Sequence, residues 1–445
     1  MTTTKTAPLT LERSAAAVEA LSDYYQEPAW MREARREAWQ HYEALPWPTR
    51  KEEAWRRLPL EQYPLDEQPL IIAPTPAKSQ HDLPACWLSP MAPEAHASGM
   101  LLNQNGAVVH AVVNPKVAAQ GVILTDLHQA LQTHSDLIRR RWLQGSIARA
   151  DFNKFTALNA ALWQGGTFVY VPENVKLTLP LQITVGYDEH GGTGLHHTLV
   201  IAEKGARVTL LHDRRSKEKE PTLNAEIVEI YADESAWVRY ASFQHWGNQR
   251  HIVSVQNAQL ARDAHLLWTN GELGGRMTKD FLRTDLLEPG ANGVMQGFNF
   301  ANAQQHIDQS TYQHHRAPDT YSNLLFRNVL RDQAKTVFYG MIRVEPEAQR
   351  TQGYQANNNL LLDNAHAHSI PGLEIIANDV KCSHGSTVSR IDREQLYYLQ
   401  SRAISLEEAE QLIVQGFLNP IIDRIPLACT RDQLKEELAW RFRRA

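Results

Sequence analysis

One segment of this sequence carries residue types and spacings suited to metal chemistry: Pro371-Gly-Leu-Glu-Ile-Ile-Ala-Asn-Asp-Val-Lys-Cys-Ser-His-Gly-Ser-Thr-Val-Ser-Arg-Ile-Asp392. As a β-strand, its period of two puts Val380, Cys382 and His384 on one face. The Cα atoms of Cys382 and His384 then lie about 6.5–7 Å apart, with Lys381 and Ser383 pointing the other way. A thiolate beside an imidazole is a pair of soft metal ligands. The same two residues also suit a small buried hydrophobe beside a hydrogen-bonded histidine. Upstream, His366 and His368 repeat the i, i+2 spacing, with Asp363 nearby. His306, Asp308, His314 and His315 form a looser group in a Gln- and Asn-rich stretch that reads as a polar loop.

The chain has three cysteines, Cys86, Cys382 and Cys429, and no CxxC pair. That excludes a zinc knuckle and a thioredoxin-type motif, and it disfavours a disulfide framework. Cys86 and Cys429 read as structural. Nothing matches a P-loop, a GxSxG elbow or HExxH, and Gly191-Gly-Thr-Gly194 reads as a plain loop. Lys plus Arg is 45 against 50 for Asp plus Glu, a net charge of −5, which argues against a dedicated nucleic-acid binder. The N-terminus has no apolar signal-peptide core, and no run approaches the ~20 apolar residues that span a bilayer. These features predict a cytoplasmic protein without nucleic-acid or membrane partners.

The elements that must position the Cys–His pair follow from periodicity. Trp30, Met31, Ala34, Ala38, Tyr42 and Leu45 predict a helix that Pro28 opens and Pro46 stops. Asn105-Gly106 between Leu101-Leu102 and Val108-Val109 predicts a hairpin. Phe152, Phe155, Leu158, Leu162 and Trp163 make one helical stripe, ended by Gly165-Gly166. From Thr167 to about residue 390, short β-branched and aromatic runs such as Phe168–Val171, Val208–Leu211 and Trp237–Tyr240 alternate with Gly, Asn and Asp turns. In these turns an acidic or small residue precedes an alanine, and Ala206, Ala236, Ala264, Ala291, Ala334 and Ala365 step by 30, 28, 27, 43 and 31 residues. Such a period marks a repeat architecture, and it is too short for a propeller blade. A parallel β-helix fits, about one turn per repeat. Its ends need capping or pairing, so an open end is a dimerisation surface. After Asp392 helices return, with capping boxes expected at Ser405–Glu408 and Thr430–Gln433. The organisation expected is an N-terminal helical region (1–100), a mixed α/β entry (101–166), a β-helix core (167–390) and a C-terminal helical region (391–445).

At this point the sequence resembles a known family. Asp379-Val-Lys-Cys-Ser-His-Gly-Ser-Thr-Val-Ser-Arg-Ile-Asp392, with Gln395-Leu-Tyr-Tyr-Leu-Gln-Ser-Arg402, resembles the C-terminal signature of the SufD branch of the SufB/SufD family, subunits of bacterial SufBCD iron–sulfur cluster assembly complexes. Pro48-Thr-Arg-Lys-Glu-Glu-Ala-Trp55, Ala157–Leu162 through Val169-Tyr-Val-Pro172, and Val337–Ile342 through Gln355–Leu362 resemble its other motifs. Ser389 and Ala403 depart from the pattern, standing where glycine is usual.

The resemblance implies a mainly β protein, a right-handed parallel β-helix flanked by helical regions. It implies a non-catalytic scaffold that pairs with a SufB-like subunit and docks a SufC-like ATPase. His384 matches the family histidine at the SufB–SufD interface, where a transient iron–sulfur cluster shared with the partner is assembled. Cys382 is its auxiliary ligand by position, and Phe417 and Leu418 are the candidate SufC anchors. A reduced flavin on the complex and a homodimer of the isolated chain are further expectations. Three distant thiols cannot supply the usual four cluster ligands, so the site would be half a site. Two other readings stand beside this one. The first is a β-helix polysaccharide hydrolase or lyase, which needs paired carboxylates in a groove. The second is a stand-alone metalloprotein built on His366, His368, Cys382 and His384. A face that points into a solenoid can be a site only where an interface or a motion opens it.

Overall fold

The computed structural model describes residues 9–62, 70–72, 96–188, 192–217, 220–425 and 427–444. From Gly165 onward, successive strands alternate between two sheets, one of nine strands and one of ten, and pair in parallel with the strand two positions on. The result is a parallel β-solenoid of about eight turns with helices at both termini. Antiparallel strands close its first end: Ala107–Val113 beside Gly99–Gln104 on one sheet, and Ile123–Asp126 beside Gly165–Val171 on the other. The Asn105-Gly106 turn of the first pair takes φ 51° and 91°, the left-handed pair a two-residue hairpin requires.

The repeated alanines are the buried corners of the coil. Ala206, Ala236, Ala264, Ala291, Ala334 and Ala365 are all essentially inaccessible. A left-handed residue lies one or two places before each of them, at Gly205, Ser235, Asp263, Gly290, Asp332 and Asp363. The irregular step of 43 has a topological cause. The first four alanines lead into strands of the ten-stranded sheet, whereas Ala334 and Ala365 lead into strands of the nine-stranded sheet. The two corners share one turn chemistry, so a single-period reading merges them.

Helices cover the outer faces. The helix Ala29–Ala44 packs on the helix Lys154–Leu162, every residue of which is buried. Asn159 at its centre donates to the carbonyls of His196 and Ala225, tying it to the nine-stranded sheet. The Phe152 stripe is shorter than its periodicity suggests: Asn153 caps the helix, leaving Phe152 outside, and the helix ends at Leu162. Gly165 and Gly166 then open a strand. Arg35, fully buried, pairs with Glu27 at 2.7 Å and donates to the carbonyls of Ala161 and Trp163, locking these helices together.

At the other end of the chain, the helix Leu406–Ile422 starts in the Ser405/Glu408 capping box. It packs Val414, Leu418 and Ile421 against Phe298, Phe300 and Val329 on the outside of the ten-stranded sheet. The second expected box is absent. The last helix begins at Ala428, before Thr430, so Thr430 is a buried helical residue and not a cap. Cys86 lies outside the described residues. Cys429 is exposed, contrary to a structural role inside the fold. Among the described residues no helix is long and apolar enough to cross a membrane.

Candidate functional site

The last strand, Val380–Arg390, pairs with Thr351–Leu361 on one side and forms the edge of the ten-stranded sheet. Its register explains why a Cys–His pair stands there. One inward-facing column runs through successive turns as Leu210, Tyr240, Trp268, Met295, Leu324, Gln355 and His384. The neighbouring column runs Val208, Val238, Leu266, Gly293, Ser322, Gly353 and Cys382. Both begin apolar, as a buried face requires, and both turn polar at the final turns. The expected alternation therefore holds: Val380, Cys382 and His384 share the inward face. That face is open, because among the described residues no further turn covers it. His384 is exposed and Cys382 half-buried, so the end of the coil, without any motion, gives access to a face that is sealed elsewhere.

Around this pair the last turn is held by small contacts. Cys382 joins Ile342, Val344, Leu373 and Val380 in a local apolar cluster. A Cβ on Gly353 would stand 3.3 Å from the Cys382 sulfur, so glycine there leaves room for the thiol. Gln355, one turn inside His384, reaches across the coil to the Gly372 carbonyl at 2.8 Å, through space kept open by Gly340, whose Cβ would meet the Gln355 side-chain oxygen at 2.2 Å. Partial burial pushes the Cys382 thiol up, opposed by a hydrogen bond from the Gly353 backbone. A thiol held protonated ligates only by releasing its proton to an incoming metal.

The other sequence candidates separate. His366 and His368 lie on the outer face of the strand His366–Ile375 and line a cleft with Arg57, away from Cys382 and His384. The four-residue metalloprotein site is therefore not assembled. His306, Asp308, His314 and His315 share the strand His306–His315, not a loop. Asp308 pairs with buried Lys279 at 2.6 Å, His314 sits between Glu345 at 2.7 Å and Asp285 at 3.3 Å, and His315 bonds Thr320 and Ser322 on the opposite face. Among the described residues no group of three or more His, Cys, Asp or Glu is arranged to hold a metal.

Of the proposed anchors, Leu418 is fully buried in the chain's own core, so it offers no surface to a partner. Phe417 is half-buried under Arg327, whose guanidinium lies 5.2 Å from its ring and donates to its carbonyl. The apolar surface of this region lies elsewhere. Tyr397 and Tyr398, on the helix Arg393–Gln400, are 75% and 56% exposed, and Leu406 and Leu412 are about half exposed.

Periodicity gave no sign of a polar chamber inside the middle of the coil. Arg214 bonds Glu226 at 2.8 Å and Ser242 at 2.6 Å, while Asn270 bonds Glu272 and Gln309 bonds both Asp280 and Asn299. All are buried. Burial, then repulsion from Asp280, pushes Glu272 well above the carboxylate range. Burial and Glu226 push Asp280 up to about 7, against the pull of Arg214. Two acids of the kind a glycan-cleaving enzyme needs thus exist, but they are sealed inside the coil and not in a groove.

Comparison with known proteins agrees with this architecture. Residues 185–417 match the model of the SufBD core domain of SUF-system FeS cluster assembly, and residues 19–183 match the SufBD protein N-terminal region. An iron-sulfur cluster assembly SufBD family protein of Staphylococcus epidermidis is 30% identical over 340 residues, 76% of this chain and 73% of the relative. Relatives of the same description in Staphylococcus saprophyticus and Staphylococcus aureus match at the same identity and coverage. The chain belongs to the SufBD family of iron–sulfur cluster assembly proteins.

Proposed function

We propose that this SufBD-family chain acts as a SufD-type scaffold without catalytic chemistry of its own. In this reading it pairs with a SufB-like subunit along the open end of the solenoid and contributes His384, assisted by Cys382, to a cluster assembled between the two. A SufC-like ATPase docks on the C-terminal helices and supplies the energy. The setting is the cytoplasm, where separate thiols stay reduced.

The observation that carries this reading is the open end itself. An 11-residue edge strand with unpaired backbone groups is a template for strand addition. The two soft ligands of the segment are on it, on a face that a partner would cover. Two ligands are too few for a stable cluster, which suits a cargo that must leave. On the C-terminal helices, Tyr397 and Tyr398 replace Leu418 as the surface that fits an ATPase partner, since exposed tyrosines are frequent interface anchors.

Co-expression with the SufB-like and SufC-like proteins of the same source, with the tag on this chain alone, tests the proposal. The expected result is one complex holding all three proteins through gel filtration. Recovery of this chain alone at micromolar concentration contradicts it.

A further inference from the structure

A cleft of about 970 Å³ lies on the outer side of the nine-stranded sheet, and neither Cys382 nor His384 lines it. Arg50, Arg56 and Arg57 reach it from the N-terminal loop, and Arg276 and Lys335 come from the solenoid wall. His306, His366 and His368 complete it, and none of the lining residues is acidic. Glu53 pairs with Arg56 at 2.6 Å and Arg57 at 3.4 Å, and Glu61 lies 3.8 Å from Arg50. Among the described residues no carboxylate pairs with Arg276 or Lys335.

Two features show that this basicity is built into the fold. First, His306, Lys335 and His366 stand at one register position in three consecutive turns, about 4.8 Å from strand to strand. The Lys335 ammonium thus sits between two imidazoles in a row on the cleft wall that contains no acid. Second, His306, which lines the cleft, is only 7% exposed, and its buried Nε2 has no hydrogen-bond partner. A buried polar atom without a partner is costly, and a ligand oxygen would satisfy it. Burial and the neighbouring Lys335, Lys279 and His368 hold His306 down to about 4, so it meets a ligand as a neutral imidazole. The only aliphatic lining comes from Pro59 and Val337, which leaves little to grip an apolar group.

We propose that this cleft binds a small molecule carrying two or more adjacent phosphate groups, held by the Arg276–Lys335 wall and the Arg50–Arg57 loop. Arginine forks match phosphate oxygens in bidentate geometry, and the volume is that of a nucleotide-sized ligand site.

Calorimetric titration of the full chain with pyrophosphate, and separately with a poly-glutamate peptide, tests this in ~0.05 and ~0.2 M salt. Expected is saturable pyrophosphate binding that weakens with salt and becomes at least ~10-fold weaker in Arg276→Gln/Lys335→Gln, with Lys116→Gln as an unaffected control. Lys335→Glu alone, checked for an unchanged thermal midpoint, gives the same loss without relying on the double variant. Absence of pyrophosphate binding, binding that neither variant changes, or binding of poly-glutamate alone overturns the proposal.

Discussion

At the scale of single residues, two side chains that the sequence presents as a pair differ in their surroundings. His384 is exposed, whereas Cys382 is half-buried with its thiol pushed up. Cys382→Ser is therefore expected to leave the complex assembled and to slow cluster loading only a few-fold, a milder loss than removal of His384. Absorbance of the reconstituted complex checks this. A second residue-scale expectation concerns the sealed chamber. Asp280 is pushed up to about 7 in the folded chain, from an ordinary value of 3.8. The folded state thus holds a proton that the unfolded state releases between about pH 4 and 7. Stability from this group is full below that window and is lost as pH rises through it. Asp280→Asn should flatten this part of the pH–stability curve and raise stability at pH 8 by about 1–3 kcal/mol. Chemical denaturation at pH 5 and 8 reads both. Alternation along the chain tells which residues point inward, but not that the coil tolerates carboxylates there. That tolerance depends on Arg214, Asn270 and Gln309 meeting from different turns.

At the scale of elements, legibility follows the range of the interactions. The Asn105-Gly106 hairpin, the helix Ala29–Ala44 and the Ser405 capping box are set by neighbours within a few residues, and they stand as the sequence reads. The Thr430 box fails because helix packing of Leu434 and Leu438 extends the helix past its local cap signal. Leu418 could not be told from Phe417 as an anchor, since only the packed helix shows which one faces Phe298. Leu418→Ala is accordingly expected to destabilise the chain by about 2–5 kcal/mol. Tyr397→Ala/Tyr398→Ala should leave the thermal midpoint unchanged and weaken ATPase binding by tenfold or more, measured by calorimetry. The terminal strand makes a parallel case. Val388 lies on its inward face and is 49% exposed. Val388→Asp should preserve the fold and weaken association with the SufB-like subunit by at least ~10-fold, because a charge would be buried at the joint. Gel filtration at graded concentrations distinguishes this from an indifferent surface.

For the whole molecule, the solenoid works by repetition and ends where repetition stops. Its columns carry leucine, tyrosine, tryptophan and methionine through the middle turns, and yield to glutamine, histidine, glycine and cysteine at the last two. The Cys382–His384 pair is legible as a local spacing, but its exposure is a property of strand count, visible only once the turns are stacked. The basic cleft was illegible for the same reason, since residues 50–57 and five positions from 276 to 368 meet only in three dimensions. The central claim is that this end supplies half of a cluster-assembly site. Iron–sulfur loading of the complex with the SufB-like and SufC-like subunits, followed by visible absorbance for wild type and His384→Ala, tests it most directly. The account predicts an intact complex of unchanged stoichiometry whose loading falls by tenfold or more. Loading at the wild-type rate by the His384→Ala complex would contradict it.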